Sequence, residues 1–193
     1  MNRRDFIGAA ALGAVMAGTA PPISGSSAFA AETSNNPNPV KKMNIVVAAD
    51  PFAVVLKDAI VAHLKEKGHT VEDVGSLAGK DSAYYDCIPI AAKRLQEKKA
   101  ERAVLFCGTG MGAAIVANRF PGVVAAVVES VFAARMSRTI NNANALCLGG
   151  MIWGEWMAKE AVDVFLKTEF TEGLPQFCDF LKAAEKKVDA IRP

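Results

Sequence analysis

From Met43 onward, short and continuously apolar stretches alternate with longer stretches of helical periodicity, and this alternation leaves few folds open. Asn44–Ala49 is too brief for a helix and rich in β-branched residues, so it reads as a buried strand. Val54, Val55, Ile60, Val61 and Leu64 then recur at helical spacing up to Lys67, where Gly68 stops the helix. The same reading predicts strands over 70–74, 103–107, 123–128 and 145–148, and helices over 88–98, 112–119, 131–139, 153–167 and 176–191. Continuously apolar strands, each followed by a helix, imply a parallel sheet covered on both faces by right-handed crossovers. The expected fold is α/β, a doubly wound five-stranded parallel sheet in a flavodoxin-like (Rossmann-like) three-layer sandwich with strand order 2-1-3-4-5. Ligands of such sheets bind beyond the carboxyl ends of strands one and three. Those ends carry Asp50 and the string Cys107-Gly108-Thr109-Gly110-Met111-Gly112.

Composition narrows the partners. The 193 residues suffice for one domain with a real core. The 22 Lys and Arg nearly balance 20 Asp and Glu, so charge offers no case for a nucleic-acid partner. Only two histidines, His63 and His69, are present, which excludes a His-rich metal site. Both fall at the first helix and read as surface or packing residues.

Residues 1–30 differ from the rest. Arg3-Arg4 precedes Phe6-Ile7-Gly8, a mild Ala- and Gly-rich apolar stretch and an Ala28-Phe29-Ala30 end, which is the pattern of a twin-arginine export signal. The apolar stretch is shorter than the roughly 20 residues a membrane span requires. Residues 31–42 are polar and Pro-broken and read as a flexible linker, leaving 43–193 as the domain. The expectation is a periplasmic protein exported in the folded state, with no membrane association once the signal is cleaved.

Glycines 108, 110 and 112 leave backbone N–H groups uncovered at a helix start, where they can face an anion or a developing oxyanion. Glycine also serves such turns simply by letting helix pack on sheet. Cys107 adds chemistry, because a thiol beside a helix N-terminus has its thiolate favoured and can act as a base or nucleophile. The plain alternative is a strand cysteine packed as a small hydrophobe.

The arrangement resembles the ribose 5-phosphate isomerase B family, which includes the galactose 6-phosphate isomerase subunits. The likeness is carried by 45–50, Ile60-Val61-Ala62-His63-Leu64, Tyr84, the Cys107 to Gly112 string, Ala117-Asn118, 132–136, Asn141 and 144–149. The resemblance implies an aldose–ketose isomerase working through a cis-enediolate without metal or cofactor. It implies Cys107 as the base, Gly108, Gly110, Met111 and Gly112 as the loop whose N–H groups meet the enediolate oxygen, and Thr109 as a second catalytic residue positioning Cys107 or the sugar. It assigns Asp50, Pro51, Tyr84 and Asn141 to substrate binding, and a small-molecule sugar or sugar phosphate as partner. It also implies a homodimer or homotetramer whose sites are completed by a neighbouring subunit.

The chain departs from that family in a consistent direction. Its usual ring-opening histidine is Ile140 here, and its Asp-His after the first strand is Asp50-Pro51. Positions expected to hold phosphate-gripping arginines and histidine carry Val123, Met151, Leu174, Pro175 and Cys178. Each lost charge-assisted hydrogen bond is worth about 1.5–3 kcal/mol, so the expected substrate is an unphosphorylated or atypical sugar. The competing reading is a non-catalytic, exported, sugar-binding pseudoenzyme. It is disfavoured because cysteine and glycine loop remain together.

Of the four cysteines, Cys107 and Cys147 fall two strands apart in the expected order, about 9–10 Å, beyond disulfide reach. A Cys87–Cys178 pair remains open, and Cys107 is expected to be free. Trp153, Trp156, Met151 and Met157 read as packing or subunit-contact residues.

Overall fold

The computed structural model describes residues 41–77 and 79–191, so the export signal expected at 1–30 and nearly all of the linker expected at 31–42 lie outside the described residues. Five parallel strands, β1 (Asn44–Ala49), β2 (Thr70–Asp73), β3 (Arg102–Cys107), β4 (Ala125–Val127) and β5 (Ala145–Gly149), form one sheet. The helices are α1 (Val54–Glu66), α2 (Tyr84–Gln96), α3 (Met111–Ala117), α4 (Val131–Thr139), α5 (Glu155–Lys167) and α6 (Cys178–Asp189), with short 3-10 turns at Pro51–Ala53 and Pro175–Phe177.

Successive residues of the strands serve opposite faces. Ile45, Val47, Val104, Phe106, Leu146 and Leu148 pack under α1, α4 and α5, against Leu56, Ile60, Leu64, Ala134, Val162 and Phe165. Val46, Ala48, Leu105, Cys107 and Cys147 pack under α2 and α3, against Ile88, Ala91, Ala92, Ala113 and Ala117. Small residues dominate this second layer, which lets α2 and α3 approach the sheet and each other.

The strand order is 2-1-3-5-4, which corrects the expected 2-1-3-4-5. β5 is buried along its whole length and pairs with both β3 and β4, whereas β4 is three residues long and partly exposed. The fully apolar strand takes the interior position and the short one the edge, a distinction the helix–strand alternation does not carry. Two asparagines fasten that edge. The Asn118 amide bonds both N–H and C=O of Ala125, and the Asn144 amide accepts from Val124 N–H and donates to Gly122 C=O.

The new order also changes the cysteine geometry. β3 and β5 are neighbours, with Leu105 opposite Cys147 and Cys107 opposite Gly149. The two cysteines are thus diagonal neighbours on one face, about 8 Å apart by strand spacing, still beyond disulfide reach. All four cysteines are free thiols.

Helix boundaries shift mainly at α2. It begins at Tyr84 rather than 88 and carries Pro89 within it, so Tyr84 stands in its first turn at the carboxyl edge of the sheet. Gly68, at φ +87°, ends α1 as expected.

Candidate active site

β1 and β3 lie side by side at the centre, and their carboxyl ends converge as the topology requires. Cys107 is the last residue of β3 and is 5% exposed. Its Sγ accepts the Gly110 N–H at 3.1 Å. Gly110 holds φ +80°, and a Cβ there would lie 3.0 Å from the Leu148 carbonyl carbon. The turn that aims the N–H at the sulfur therefore requires glycine. Gly112 packs closely for a different reason: a Cβ would lie 3.0 Å from the Tyr84 ring, which would have to give way.

Asp50 closes the other side. It is buried, caps the 3-10 turn beginning at Pro51, and accepts the Phe52 N–H at 3.0 Å. Burial raises its carboxyl above the ordinary carboxylate range, while backbone N–H groups of Phe52 and Gly108 pull it back. Asp50 thus touches the loop that follows Cys107.

Thr109 is exposed on that loop, and its Oγ1 accepts the Met111 N–H at 3.4 Å. The group that meets the Cys107 sulfur is the Gly110 N–H, and Thr109 is left facing the mouth. Met111 starts α3 and is exposed. Cys107, Thr109, Asp50, Pro51, Tyr84, Gly108, Gly110, Met111 and Gly112 therefore share one edge of the sheet.

Asn141 does not join them within one chain. It follows α4 at the amino edge of β5 and lines a cavity of about 290 Å³ with Ile140, Asn144, Glu185 and Val188. The histidines stay away as well. His63 Nε2 lies 2.8 Å from Asp163 across the α1–α5 seam, and His69 accepts the Met43 N–H through Nδ1. Trp153 is buried, donating to Val128 C=O at 3.0 Å, whereas Trp156 and Met151 stand exposed.

Three neighbours of the mouth escaped the sequence reading. Phe52 flanks Gly108, and its place directly after Asp50-Pro51 was the available signal. Cys87 lies under the same mouth, donating to Ala49 C=O, with burial pushing its thiol up to about 11. Lys57, fully buried on α1, bonds Asp58, Asp73 and Ser76 C=O and so ties down the chain after β2. A lysine at a helical surface position gives no pattern that announces burial.

Residues 45–177 match the model of the Ribose/Galactose Isomerase family. The chain is 43% identical to the 4-deoxy-4-sulfo-D-erythrose isomerase of Clostridium sp. (strain MSTE9), over 77% of this chain and 95% of that protein. It is 36% identical to the D-erythrulose-4-phosphate isomerase of Pectobacterium atrosepticum, over 68% and 87% respectively. The ribose-5-phosphate isomerase B structure of Clostridium thermocellum superposes with a TM-score of 0.71 at 34% identity, covering 77% of this chain and 97% of that one. A fold alone would not establish chemistry, but this match extends through the Cys107 loop and both strands that frame it. The chain belongs to the ribose/galactose isomerase family and is a sugar isomerase.

Proposed function

We propose that the protein interconverts the aldose and ketose forms of a four-carbon sugar whose terminal group is a sulfonate rather than a phosphate, with Cys107 as the base. Cys107 Sγ takes the proton from the carbon beside the aldehyde. The C–H electron pair becomes the carbon–carbon double bond of an enediolate, and charge moves to the former carbonyl oxygen. Returning the proton to the terminal carbon, with transfer of the hydroxyl proton between the two oxygens, gives the ketose. The N–H groups of the 108–112 loop face the enediolate oxygen, while Asp50 and Tyr84 hold sugar hydroxyls.

The observation that carries this reading is the composition of the mouth. The cysteine sulfur accepts a backbone N–H, Met151 and Phe52 flank Gly108, and Val123, Met151, Leu174, Pro175 and Cys178 stand where the family resemblance calls for phosphate-gripping arginines and histidine. A phosphate dianion there would forgo several charge-assisted bonds, whereas a sulfonate is a monoanion that demands fewer. Relatives named for erythrose and erythrulose derivatives support a four-carbon chain.

Asn141 enters the site from a second copy of the chain, which accounts for its distance from Cys107 within one copy. Arg3-Arg4 and the Ala-rich stretch behind them support export in folded form to the periplasm. Assays with 4-deoxy-4-sulfo-D-erythrose, erythrose 4-phosphate, erythrose and ribose 5-phosphate, read by ketose formation and solvent-deuterium incorporation, test the reading. The sulfonated tetrose is expected to give the highest kcat/KM, and a clear preference for ribose 5-phosphate would overturn it.

A further inference from the structure

The chain between β2 and α2 delivers Tyr84 to the mouth, and the first turn of α2 has little of its own to hold it there. Ala83 occupies the N-cap position and supplies no capping side chain, so no side-chain oxygen of the cap meets the N–H groups that open the helix. Pro89 lacks the N–H that would bond Tyr85 C=O four residues earlier. A turn built this way takes its position from contacts outside the helix.

Those contacts run through Ser76, which is fully buried with every polar group engaged. Its N–H donates to Ala49 C=O at 2.8 Å, and its C=O accepts from Lys57 Nζ at 3.0 Å. Its hydroxyl donates to Ser82 C=O at 2.9 Å and accepts the Ser82 N–H at 2.8 Å, a two-bond clasp. Lys57 is itself fully buried and fixed by Asp73 and Asp58. Gly75 approaches β1 so closely that a Cβ on it would collide with Ala49 N. Ser82 is thus referenced to Ala49, the residue before Asp50. Two residues beyond Ser82, the Tyr84 ring lies 3.0–3.3 Å from where a Cβ on Gly112 would stand. Cys87, one turn further along α2, donates to the same Ala49 C=O.

We propose that Ser76, anchored by Lys57 and clasping Ser82, is a positioning residue that holds Tyr84 in register with Asp50 and the Cys107 loop. The inference rests on the sugar-binding role proposed above for Tyr84 and adds what places that side chain. A binding group must be held to about 0.5 Å to keep a productive geometry. An uncapped first turn followed by proline does not secure this alone, whereas a buried and fully bonded serine does. Releasing the clasp frees the Ser82 end and lets Tyr84 drift from the Gly112 surface, while β1, β3 and Cys107 stay where the sheet holds them.

The test is a double-mutant cycle of Ser76→Ala and Tyr84→Phe, read in two ways. One readout is kcat and KM on whichever of the four sugars above wild type turns over best, and the other is amide hydrogen exchange over 84–88. Tyr84→Phe is expected to raise KM about two- to tenfold, the worth of one hydrogen bond. Ser76→Ala should raise KM by a similar factor with a smaller change in kcat, and the double variant should be no worse than the poorer single one. Exchange over 84–88 should quicken about tenfold or more in Ser76→Ala while β3 and β5 keep their protection. Additive losses in the cycle, or exchange over 84–88 that is unchanged or quickens equally throughout the sheet, would overturn the inference and leave the functional reading standing. An unchanged KM in Tyr84→Phe would remove the role of Tyr84, and the inference with it. If wild type turns over none of the four sugars, the functional reading falls and the exchange pattern alone decides whether Ser76 positions this turn. Should Ser76→Ala fail to fold, Ser76→Cys, which keeps a side chain in the same space with weaker hydrogen bonding, takes its place.

Discussion

The two edges of the sheet are built from opposite materials. At the carboxyl edge, Cys107, Asp50 and the glycine loop are held by backbone contacts so close that side chains at 110, 149 and 150 would press into neighbouring backbone, and one at 112 into the Tyr84 ring. At the amino edge, long polar side chains do the fastening. Arg138, buried at the end of α4, donates to Asn142 Oδ1 and Ala143 C=O through Nη1 and to Thr168 C=O through Nε, and its guanidinium lies 5.9 Å from the Phe165 ring centroid. Asn142 in turn donates to Glu185 of α6. On the proposed mechanism one edge places the reacting atom while the other holds elements together, and substitutions should separate accordingly.

The largest separation is expected from Cys107→Ala. Removing the proposed base should lower kcat by about 10²–10⁴-fold and abolish solvent-deuterium incorporation, while the thermal midpoint moves little because alanine fits a packed strand end. Residual exchange near the wild-type rate would show that another group is the base. Arg138→Ala should do the reverse. Stripping three hydrogen bonds from buried acceptors costs about 2–4 kcal/mol in urea unfolding, with kcat per folded molecule changing far less than for Cys107→Ala. A stable but inactive Arg138→Ala protein would erase the distinction between the edges.

Asn141 tests whether the edges meet between copies. Cys107→Ala and Asn141→Ala proteins, each weakly active, should regain activity when unfolded together and refolded as a mixture, because some assembled sites then carry both native residues. Recovery up to about a quarter of wild type is the random-assortment expectation for a dimer with shared sites. Mixtures no better than the average of the two variants would confine each site to one chain.

The sequence carried most of the carboxyl edge and little of the amino edge, for physical reasons. Short apolar runs and glycines leave strong marks, so β1, β3, the 107–112 string and Asp50 were legible. Strand order was not, because the apolar character of β4 and β5 looks alike until burial is known. Periodicity alone starts the second helix at 88, whereas the folded helix begins at Tyr84 and carries Pro89 within its first two turns. Lys57 and Arg138 were invisible because charged residues are ordinarily placed on the surface. Their burial depends on acceptors, Ser76 C=O and Ala143 C=O, that only the tertiary fold supplies.

Within the carboxyl edge, Cys87 separates chemistry from packing. Its thiol is pushed up to about 11 chiefly by burial, so the folded state holds the proton more tightly than the unfolded chain does. The stabilisation is fully present below the ordinary thiol value near 9.0 and is lost as pH rises through about 11. Across that window wild type should lose about 2–3 kcal/mol more than Cys87→Ala does. Equal losses would mean that water reaches this thiol. In native thiol labelling, Cys178 should react first, since hydrogen bonds from Thr171 and Lys182 hold it below the ordinary value, and buried Cys87 and Cys147 last.

Asp50 gives the smallest effect on stability and the finest test of the comparison. Burial raises its carboxyl, so its favourable contribution to the fold exists only below the unfolded value near 3.8 and is lost as pH rises through the folded value. At neutral pH the charged carboxylate therefore opposes folding, a cost consistent with the sugar-binding role proposed for it. Asp50→Asn preserves an acceptor for the Phe52 N–H and removes the buried charge. The variant should be somewhat more stable than wild type at pH 7, with the gain shrinking as pH falls into the acid range, while KM for the sugar rises. A loss of stability at pH 7 would mean that the Phe52 and Gly108 N–H groups outweigh desolvation, and that Asp50 belongs with Arg138 among the residues that hold the fold.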